Sequence, residues 1–337
     1  MNKPVEKPVH QSIPSPVDLL IDCDPGVDDA IALLLAFGSS ELNLLGITTV
    51  GGNVPLVHTQ TNARKICELA QVLDIPVAAG CARPLVRSRV MTAEYVHGAT
   101  GLGQLTLPTP TLPLHPQHGV DFLIDTLLNA PTPIHLATLG PLTNLAVALV
   151  KSPEIAAQIQ SLTVMGGAIT HGNVTPSAEF NFYCDPHAAQ VVFESGLPLT
   201  MIGLDVTHQA IATPERLARI RSIGPTLGPI VAQLLEHYSL HDIQQYGFEG
   251  APLHDPCVLA YLINPNLFKS RRCFIEIETQ SESSLGRSIV DLYGVSSHEP
   301  NATVVTEIDS DGFYDLLCDR LAQLQDRLLQ TDVLHMG

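Results

Sequence analysis

One stretch decides the fold of this chain: residues 17–36, VDLLIDCDPGVDDAIALLLA. It begins with a short apolar run that is typical of a buried strand, turns at Pro25 and Gly26, and continues as an apolar run that is typical of a helix. A buried strand joined by a tight turn to a helix is the building unit of α/β folds with a parallel sheet. The stretch therefore predicts an α/β fold.

Four aspartates, Asp22, Asp24, Asp28 and Asp29, crowd the junction between this strand and this helix. In an open α/β sheet, ligands bind at the carboxyl ends of the strands. Helix capping and the helix dipole account for Asp28 and Asp29 at most. Four carboxylates in a dry cleft would repel one another, and oxygen-only ligands select a hard cation. The cluster therefore predicts a bound Ca²⁺ or Mg²⁺.

The remaining alternation of strand and helix patterns extends this prediction to the whole chain. It favours an open, mostly parallel Rossmann-like sheet with helices on both faces. The pattern further predicts a long loop over residues 80–116 and one helix over residues 214–238. Three strands near the end of the chain, 273–278, 288–292 and 303–308, are predicted to form a meander.

Composition limits the classes of function that this chain can have. It has 337 residues, 45% of them hydrophobic, and a net charge of −17. Such an acidic protein is a poor partner for nucleic acid, whose phosphates are bound by Lys and Arg. Seven cysteines without CxxC spacing are typical of reduced thiols, so we expect a cytoplasmic protein.

No segment is apolar and long enough to predict a membrane span. Residues 1–16 are rich in proline and lack the apolar core of a secretory signal, so they are interpreted as a disordered tail. No break in composition divides the rest, and residues 17–337 are interpreted as a single domain.

The segment DCDPGVDDA, residues 22–30, resembles the N-terminal signature of the nucleoside hydrolases. Enzymes of that family cleave the N-glycosidic bond of nucleosides and use a bound Ca²⁺. Further matching segments lie at residues 138–144, 165–181 and 247–257. The resemblance thus runs from about Asp18 to Arg327 and implies the nucleoside hydrolase fold.

The resemblance implies a set of metal ligands. Asp24, Asp29, Asp255 and the backbone carbonyl of Leu139 would hold the Ca²⁺. Asp24 would also be the general base for the attacking water, and Asp22 would orient the loop without touching the metal.

Contacts with the ribose follow from the same resemblance. Asp28 is expected at the 2′-hydroxyl, and Asn53 near the ribose and the water. Asn173 and Glu179 are assigned to the 5′-hydroxyl, and Asn181 to the 2′- and 3′-hydroxyls. Glu179 and Asn181 are two residues apart, so in an extended loop they would point the same way.

Histidine and tyrosine side chains are expected near the base. His254 could protonate the departing base, and His97 matches a family position beside it. Tyr246 is expected to stack on the base or to form a hydrogen bond with it. His237 and His241 have the i, i+4 spacing of a zinc pair, but no HExxH motif accompanies them, so they are interpreted as incidental.

Several interpretations remain open at this stage. The chain looks most like the bacterial pyrimidine-preferring members, and a broad inosine–uridine enzyme is the alternative. An aspartate-dependent phosphatase, with Asp22 attacking phosphorus, and a non-catalytic nucleoside-binding protein are more distant alternatives. The expected partner is a small nucleoside, used in nucleoside salvage, and the chain is expected to be a homo-oligomer, either dimer or tetramer.

Overall fold

A computed structural model describes residues 16–335, without the side chains of residues 242 and 332–335. The tail predicted over residues 1–16 lies, apart from Pro16, outside the described residues. The first stretch folds as expected into strand β1 (Val17–Cys23) and helix α1 (Val27–Gly38). Every residue of α1 is buried, because the helix is apolar on all sides and lies in the core.

Nine strands form one sheet within the described residues, in the order β3-β2-β1-β4-β5-β6-β9-β7-β8. In this spatial order, neighbouring strands from β3 to β9 are parallel. Strand β7 is antiparallel to both of its neighbours, β9 and β8. The mostly parallel sheet confirms the predicted fold class. The strands after β1 are β2 (Leu42–Thr49), β3 (Val77–Ala79), β4 (Ile134–Thr138), β5 (Ile159–Met165), β6 (Leu199–Ile202), β7 (Phe268–Ile277), β8 (Ser288–Asp291) and β9 (Ala302–Ile308).

Helices cover both faces of this sheet. Alternate residues of β1 show this, since Leu19 and Ile21 belong to one buried apolar cluster and Leu20 to another. The helices after α1 are α2 (Leu56–Leu69), α3 (Glu94–His97), α4 (Gly119–Asn129), α5 (Thr143–Lys151), α6 (Phe180–Cys184), α7 (Pro186–Phe193), α8 (Leu204–Thr207), α9 (Pro214–Arg221), α10 (Leu227–Tyr246), α11 (Asp255–Ile263) and α12 (Ser310–His335). Within residues 16–335, no helix combines the length and apolar character needed to cross a membrane.

The order of the strands places a crevice at the centre of the sheet. From β1 the chain moves outward to β2 and β3, then returns to the other side of β1 to build β4, β5 and β6. A crevice opens where the direction of winding reverses, at the carboxyl ends of β1 and β4. The aspartate cluster lies at this point, because Asp22 is in β1 and Asp24 is the first residue after this strand.

Two sequence predictions about the later elements are wrong. The single helix over 214–238 is two helices, because Gly224 has a positive φ of 60° and Pro225 disfavours a helical residue before it. The three final strands do not form a meander. Strand β9 pairs with β6 and β7 instead of β8, so it completes the parallel part of the sheet.

Candidate active site

A cavity lies over the carboxyl ends of the central strands. It gathers every predicted site residue except Asp24 and Asp29, which are fully buried and do not line it. Among the described residues, its lining contains neither Lys nor Arg. The cavity is lined by Asp28, Asn53, Ala93, Tyr95, Val96, His97, Leu139, Met165, Asn173, Glu179, Phe180, Asn181, His208, Tyr238, His241, Tyr246, His254 and Asp255.

Three carboxylates meet at the floor of this cavity. Asp28, Asp29 and Asp255 each offer one oxygen, and these oxygens lie within 4.8 Å of one another. All three residues are buried. Asp28 and Asp29 come from the first turn of α1, and Asp255 is the first residue of α11, so two helix N-termini face the cluster. Such termini favour negative charge, which helps to hold the carboxylates here.

The turn between β1 and α1 folds around Asp29. The backbone N–H groups of Asp24 and Gly26 donate to its two carboxylate oxygens at 3.1 and 2.9 Å. The side-chain amide of Asn53 donates to the same carboxylate at 3.0 Å. Asp29 therefore satisfies amides that the start of α1 would otherwise leave without a partner.

Asp24 is held on one side only. Its Oδ2 accepts the backbone N–H of Asn53 at 2.6 Å, whereas its buried Oδ1 has no hydrogen-bond partner. Glycines make room for this carboxylate: a Cβ on Gly52 would lie 2.1 Å from Oδ2, and one on Gly140 would lie 2.3 Å from Oδ1. The backbone thus encloses Asp24 so closely that no side chain fits on either side.

Burial and mutual repulsion make this cluster unfavourable by itself. Burial, followed by the charge of Asp29, raises the pKa of Asp24 well above its usual range. Burial, followed by the charge of Asp28, does the same to the pKa of Asp255. The pKa of Asp29 is also raised by burial, although backbone N–H groups oppose this effect. A cation among these groups would offset the repulsion.

The donor set fits a hard metal ion. It consists of carboxylate oxygens, it includes the unpartnered Oδ1 of Asp24, and neither Lys nor Arg lines the cavity within the described residues. The carbonyl oxygen of Leu139 lies at the end of β4 and accepts a hydrogen bond from Asn181 Nδ2 at 2.7 Å. A carbonyl oxygen has two lone pairs, so one remains for another partner.

Asp22 lies beside the site and not in it. Its Oδ1 accepts hydrogen bonds from Thr48 Oγ1 at 2.5 Å and Asn144 Nδ2 at 2.7 Å, while burial raises its pKa to about 7. Asn144 also donates to the carbonyl of Thr49 and accepts from the N–H of Cys81. This amide joins the ends of β1, β2 and β3, a role that sequence analysis did not assign to it.

The side of the cavity expected to meet the sugar is built differently from the prediction. Glu179 and Asn181 do not lie in an extended loop: Glu179 is the N-cap of α6 and Asn181 is in its first turn. Glu179 accepts the N–H groups of Gly167, Asn181 and Phe182 at 2.8 to 3.2 Å. Asn173 Oδ1 accepts the N–H of Phe180 at 2.9 Å. These polar side chains therefore both line the cavity and fix its wall.

Rings of histidine and tyrosine line the opposite side. The backbone N–H of Val27 donates to Nδ1 of His97 at 3.1 Å, and the His97 ring lies 5.3 Å from that of Tyr238. Burial, followed by the nearby His237 and His241, lowers the pKa of His97 to about 3. Uncharged aromatic rings facing a polar floor suit a ligand with a flat, apolar part and a hydroxylated part.

His254 and Tyr246 lie on this same side. Burial and the neighbouring His208 and His97 lower the pKa of His254 well below its usual range, so its ring is neutral at pH 7. The ring of His208 lies 5.8 Å from that of His254 and 6.0 Å from that of Tyr246. The Tyr246 hydroxyl donates to the carbonyl of Asn173 at 3.3 Å, which joins the two sides of the cavity.

Eight lining residues were not predicted as site residues, and four of these have polar rings: Tyr95, His208, Tyr238 and His241. His241, interpreted as incidental, lines the cavity and its ring lies 5.3 Å from that of Tyr95. Tyr238 and His241 are three residues apart on α10, a spacing that places them on one helix face and could have indicated a shared role. His208 stands alone in the sequence, so no pattern indicated it.

Comparison with known proteins gives a consistent result. Residues 19–315 match the family described as inosine-uridine preferring nucleoside hydrolase. The pyrimidine-specific ribonucleoside hydrolase RihA of Photobacterium profundum is 46% identical over 305 residues, covering 90% of this chain and 98% of that protein. An uncharacterized protein of Schizosaccharomyces pombe is 45% identical over 308 residues, covering 91% of this chain and 99% of that protein.

Solved structures give the same family. The purine-preferring ribonucleoside hydrolase from Gardnerella vaginalis has a TM-score of 0.86 and 31% identity, covering 91% of this chain and 99% of that one. A plant nucleoside hydrolase has a TM-score of 0.84 and 30% identity, with coverage of 91% and 99%. The resemblance seen in the sequence motifs is confirmed. The chain therefore belongs to the inosine-uridine preferring nucleoside hydrolases, a family of N-glycosidases.

Proposed function

We propose that this protein hydrolyses the N-glycosidic bond of pyrimidine ribonucleosides, uridine and cytidine, to ribose and free base, with a bound Ca²⁺. One observation carries the proposal: buried carboxylates converge beneath a cavity whose described lining has neither Lys nor Arg to neutralise them. This arrangement suits a cation below and a sugar above. It argues against the phosphatase alternative, because a phosphate group would meet several carboxylates and no Lys or Arg in the described lining.

Asp24, Asp29, Asp255 and the carbonyl of Leu139 are the proposed Ca²⁺ ligands. Asp28 lies with Asp29 and Asp255 and faces the cavity, so it can reach both a metal and a sugar hydroxyl. When bound, Ca²⁺ supplies positive charge that lowers the pKa of a water molecule at the site.

The chain's own residues would carry the rest of the reaction. The bond from C1′ to the base nitrogen breaks, and its electron pair moves to the base. The water oxygen then bonds to C1′, Asp24 takes a proton from that water, and the departing base anion takes up a proton from solvent to become the free base. The ribosyl group passes through an oxocarbenium-like state, which the negative charge of Asp28 beneath the cavity would stabilise.

The remaining polar side chains would position the ribose. Asn53, Asn181, Asn173 and Glu179 all line the cavity. We propose that Asn181 contacts the 2′- and 3′-hydroxyls, Asn53 the ribose near the water, and Asn173 with Glu179 the 5′-hydroxyl. Their hydrogen bonds to backbone hold them in place, so little order is lost when the sugar binds.

The base would bind against the histidine side chains that line the cavity. His254 would assist its departure, and His97 and Tyr246 would contact its ring or its edge. Because the ring of His254 is neutral, it would act as a hydrogen-bond donor to the base and not as a cationic acid. The lowered pKa of His254 supports this role in place of a histidine that titrates near neutral pH.

The preference for pyrimidines is supported by the degree of similarity. RihA of Photobacterium profundum, at 46% identity, is named pyrimidine-specific, whereas the enzyme of Gardnerella vaginalis, at 31%, is named purine-preferring. A broad inosine–uridine enzyme is the alternative. We further propose a role in nucleoside salvage, because the products are a free base and a free sugar.

We also propose that the protein is a homo-oligomer. Tyr293 and Val295, close to the edge strand β8, are each 88% exposed, and such apolar surface is commonly covered by a second copy. Light scattering coupled to size-exclusion chromatography measures the mass directly, and a monomeric mass would refute this part of the proposal.

The direct test measures free base by liquid chromatography after incubation with uridine, cytidine, inosine or adenosine. We expect uracil and cytosine to be released fastest. Comparable release of hypoxanthine would support the broad alternative instead. Release of phosphate from p-nitrophenyl phosphate, without release of any base, would favour the phosphatase alternative.

The 2′-hydroxyl provides a sharper test of the ribose contacts. A site built to hydrogen-bond a hydroxyl rejects an analogue lacking it by roughly 10⁴-fold or more, because buried polar groups are left without partners. We therefore expect kcat/KM for uridine to exceed that for 2′-deoxyuridine by a large factor, although the deoxy bond is intrinsically easier to cleave. Similar values for the two nucleosides would contradict the assignment of Asp28 and Asn181.

A further inference from the structure

Thr207 lies directly behind His254. It is the last residue of α8, has no exposed surface, and does not line the cavity. Its hydroxyl oxygen is 2.7 Å from Nδ1 of His254. Its backbone N–H donates to the carbonyl of Gly203 and its own carbonyl accepts from Ala210, so the backbone groups are satisfied and the hydroxyl is free to serve the histidine.

The proton in this hydrogen bond can be assigned. Among the described residues, Nδ1 of His254 is the one acceptor within reach of the Thr207 hydroxyl. If Nδ1 carried a proton, that proton would occupy the hydroxyl oxygen, and the buried hydroxyl proton would have no acceptor. If the hydroxyl donates instead, both groups are satisfied. The geometry therefore favours a His254 ring whose single proton is on Nε2.

His97 also accepts a hydrogen bond at Nδ1, and there the direction of the hydrogen bond is fixed by the donor. The group facing its Nδ1 is the backbone N–H of Val27, at 3.1 Å, which can only donate. His97 is thus also a ring with its proton on Nε2. Two histidines that line one cavity are each bound at Nδ1 from the wall side, so each has an N–H left for a ligand.

We infer that Thr207 is a positioning residue, which fixes His254 as the tautomer that presents Nε2–H to the departing base. This inference rests on the proposed function. As the C1′–N bond breaks, its electron pair leaves negative charge on the base, and a donor aimed at the base stabilises that charge. The opposite tautomer would present a lone pair and repel it. The backbone fixes this property for His97, and a single hydroxyl fixes it for His254.

Two substitutions separate the hydroxyl from the shape of the side chain. Thr207→Val keeps the shape and removes the hydroxyl, whereas Thr207→Ser keeps the hydroxyl. For uridine we expect Thr207→Val to lower kcat by about tenfold or more, the scale of one lost hydrogen bond to a developing charge, with KM nearly unchanged. Thr207→Ser should retain most of the activity. Thr126→Val, which removes a hydroxyl bonded to the carbonyl of Phe122 in α4, is the matched control.

A second substrate distinguishes positioning from general damage. p-Nitrophenyl riboside has a leaving group that is stable as an anion and needs no donor, so Thr207→Val should barely slow its hydrolysis. Equal loss on both substrates, or no loss on uridine, would overturn the inference. If the unchanged protein cleaves no nucleoside, the proposed function itself fails.

The tautomer can also be read without any activity. Nitrogen-15 NMR of imidazole-labelled protein should show, for His254, a proton on Nε2 and none on Nδ1. Thr207→Val should produce a mixture of tautomers, and Thr207→Ser should restore the single one. A proton on Nδ1 of His254 in the unchanged chain would refute the inference whatever the substrate.

Discussion

Asp24 shows at the scale of one residue how this site differs from an ordinary buried carboxylate. One oxygen accepts a short hydrogen bond from Asn53, and the other has no partner. A buried polar atom without a partner costs free energy in the folded state. Because Asp24 lies at the carboxyl end of β1, beside the cluster of carboxylates, we assign this oxygen to the proposed metal and the attacking water.

Substituting Asn for Asp24 should separate activity from stability. The amide has nearly the same shape but no charge and a far weaker basicity, so turnover of uridine should fall by about 10² to 10⁴. Stability of the metal-free protein should be equal or higher, because one of the repelling carboxylates is gone. Base release and thermal unfolding in the presence of a chelator measure the two effects.

Asp121→Asn, which affects an exposed carboxylate paired with Lys151, is the control for Asp24→Asn. It should change neither quantity appreciably, since exposed pairs contribute little. An Asp24→Asn protein that keeps full turnover would rule out the proposed general base.

Substituting Gly140 tests the site without removing any of its polar groups. A Cβ at this position would lie 2.3 Å from Asp24 Oδ1, so Gly140→Ala must displace the carboxylate. A displacement of about 1 Å at a reacting group can lower the rate about 10²-fold. We expect kcat to fall strongly while the protein remains folded.

The control for Gly140→Ala is Gly46→Ala, whose Cβ would meet the ring of Phe122 in the core. It should lower the melting temperature and leave kcat of the folded enzyme nearly unchanged. If Gly140→Ala lowers only the melting temperature and not kcat, the close fit around Asp24 has no role in turnover.

Prediction from sequence succeeded for those residues that belong to a pattern. The aspartates of residues 22–30 share a short motif at a strand end, and Asp255 lies in a second motif that the family resemblance assigned to the same site. His208 and Thr207 belong to no such pattern. Their roles depend on how α8 places them against α11, and that relation between distant segments is visible only in the folded chain.

Glu179 shows at the scale of an element how a site residue also maintains a helix. It caps α6 through hydrogen bonds to three backbone N–H groups. Burial nevertheless raises its pKa from 4.5 to about 7. Between these pH values the unfolded chain has lost the proton and the folded chain keeps it. Raising the pH through this window therefore lowers the free energy of unfolding.

Glu179→Gln should remove this part of the pH dependence. Glutamine does not ionise, so between pH 5 and 7 its free energy of unfolding should decline less than that of the unchanged protein, by up to about 3 kcal/mol. Denaturant unfolding at several pH values measures the difference. The exposed Glu194→Gln serves as the control, and parallel pH curves for Glu179→Gln and the unchanged protein would contradict the expected effect.

The elements themselves were predictable to different degrees. Strand β1 was predictable, because an apolar run that ends at a turn with Pro25 and Gly26 is typical of a buried parallel strand. The position of β9 was not predictable, because local pattern reveals a strand but not its neighbour. The break between α9 and α10 coincides with Gly224-Pro225, a pair of residues that is typical of the end of a helix.

The whole molecule carries a charge of −17, and three buried carboxylates converge beneath the cavity. Ca²⁺ should therefore stabilise the folded protein as well as activate it. At about 100 times the dissociation constant, a bound ligand adds about 2.7 kcal/mol to the free energy of unfolding. Calorimetry with increasing Ca²⁺ should show a rising melting temperature, and chelation should abolish base release until Ca²⁺ is restored.

Asp255→Asn is the matched variant for this experiment. It removes a proposed ligand and leaves the charges on the protein surface unchanged. The melting temperature of this variant should therefore respond much less to Ca²⁺. The same response in both proteins would place the stabilising Ca²⁺ elsewhere. Restoration of activity by Zn²⁺ as effectively as by Ca²⁺ would contradict the choice of a hard cation.

The reversal of winding at β1 has a consequence for how the protein matures during synthesis. The first carboxylates of the site leave the ribosome early, with β1 and α1, but Asp255 is made only after β6 and α10. Until then the nascent chain exposes an incomplete set of ligands. We therefore expect the cation to be captured late, when α11 docks beside α1 and completes the pocket. A chain interrupted before α11 would lack Asp255, so we expect it to hold the proposed ion weakly.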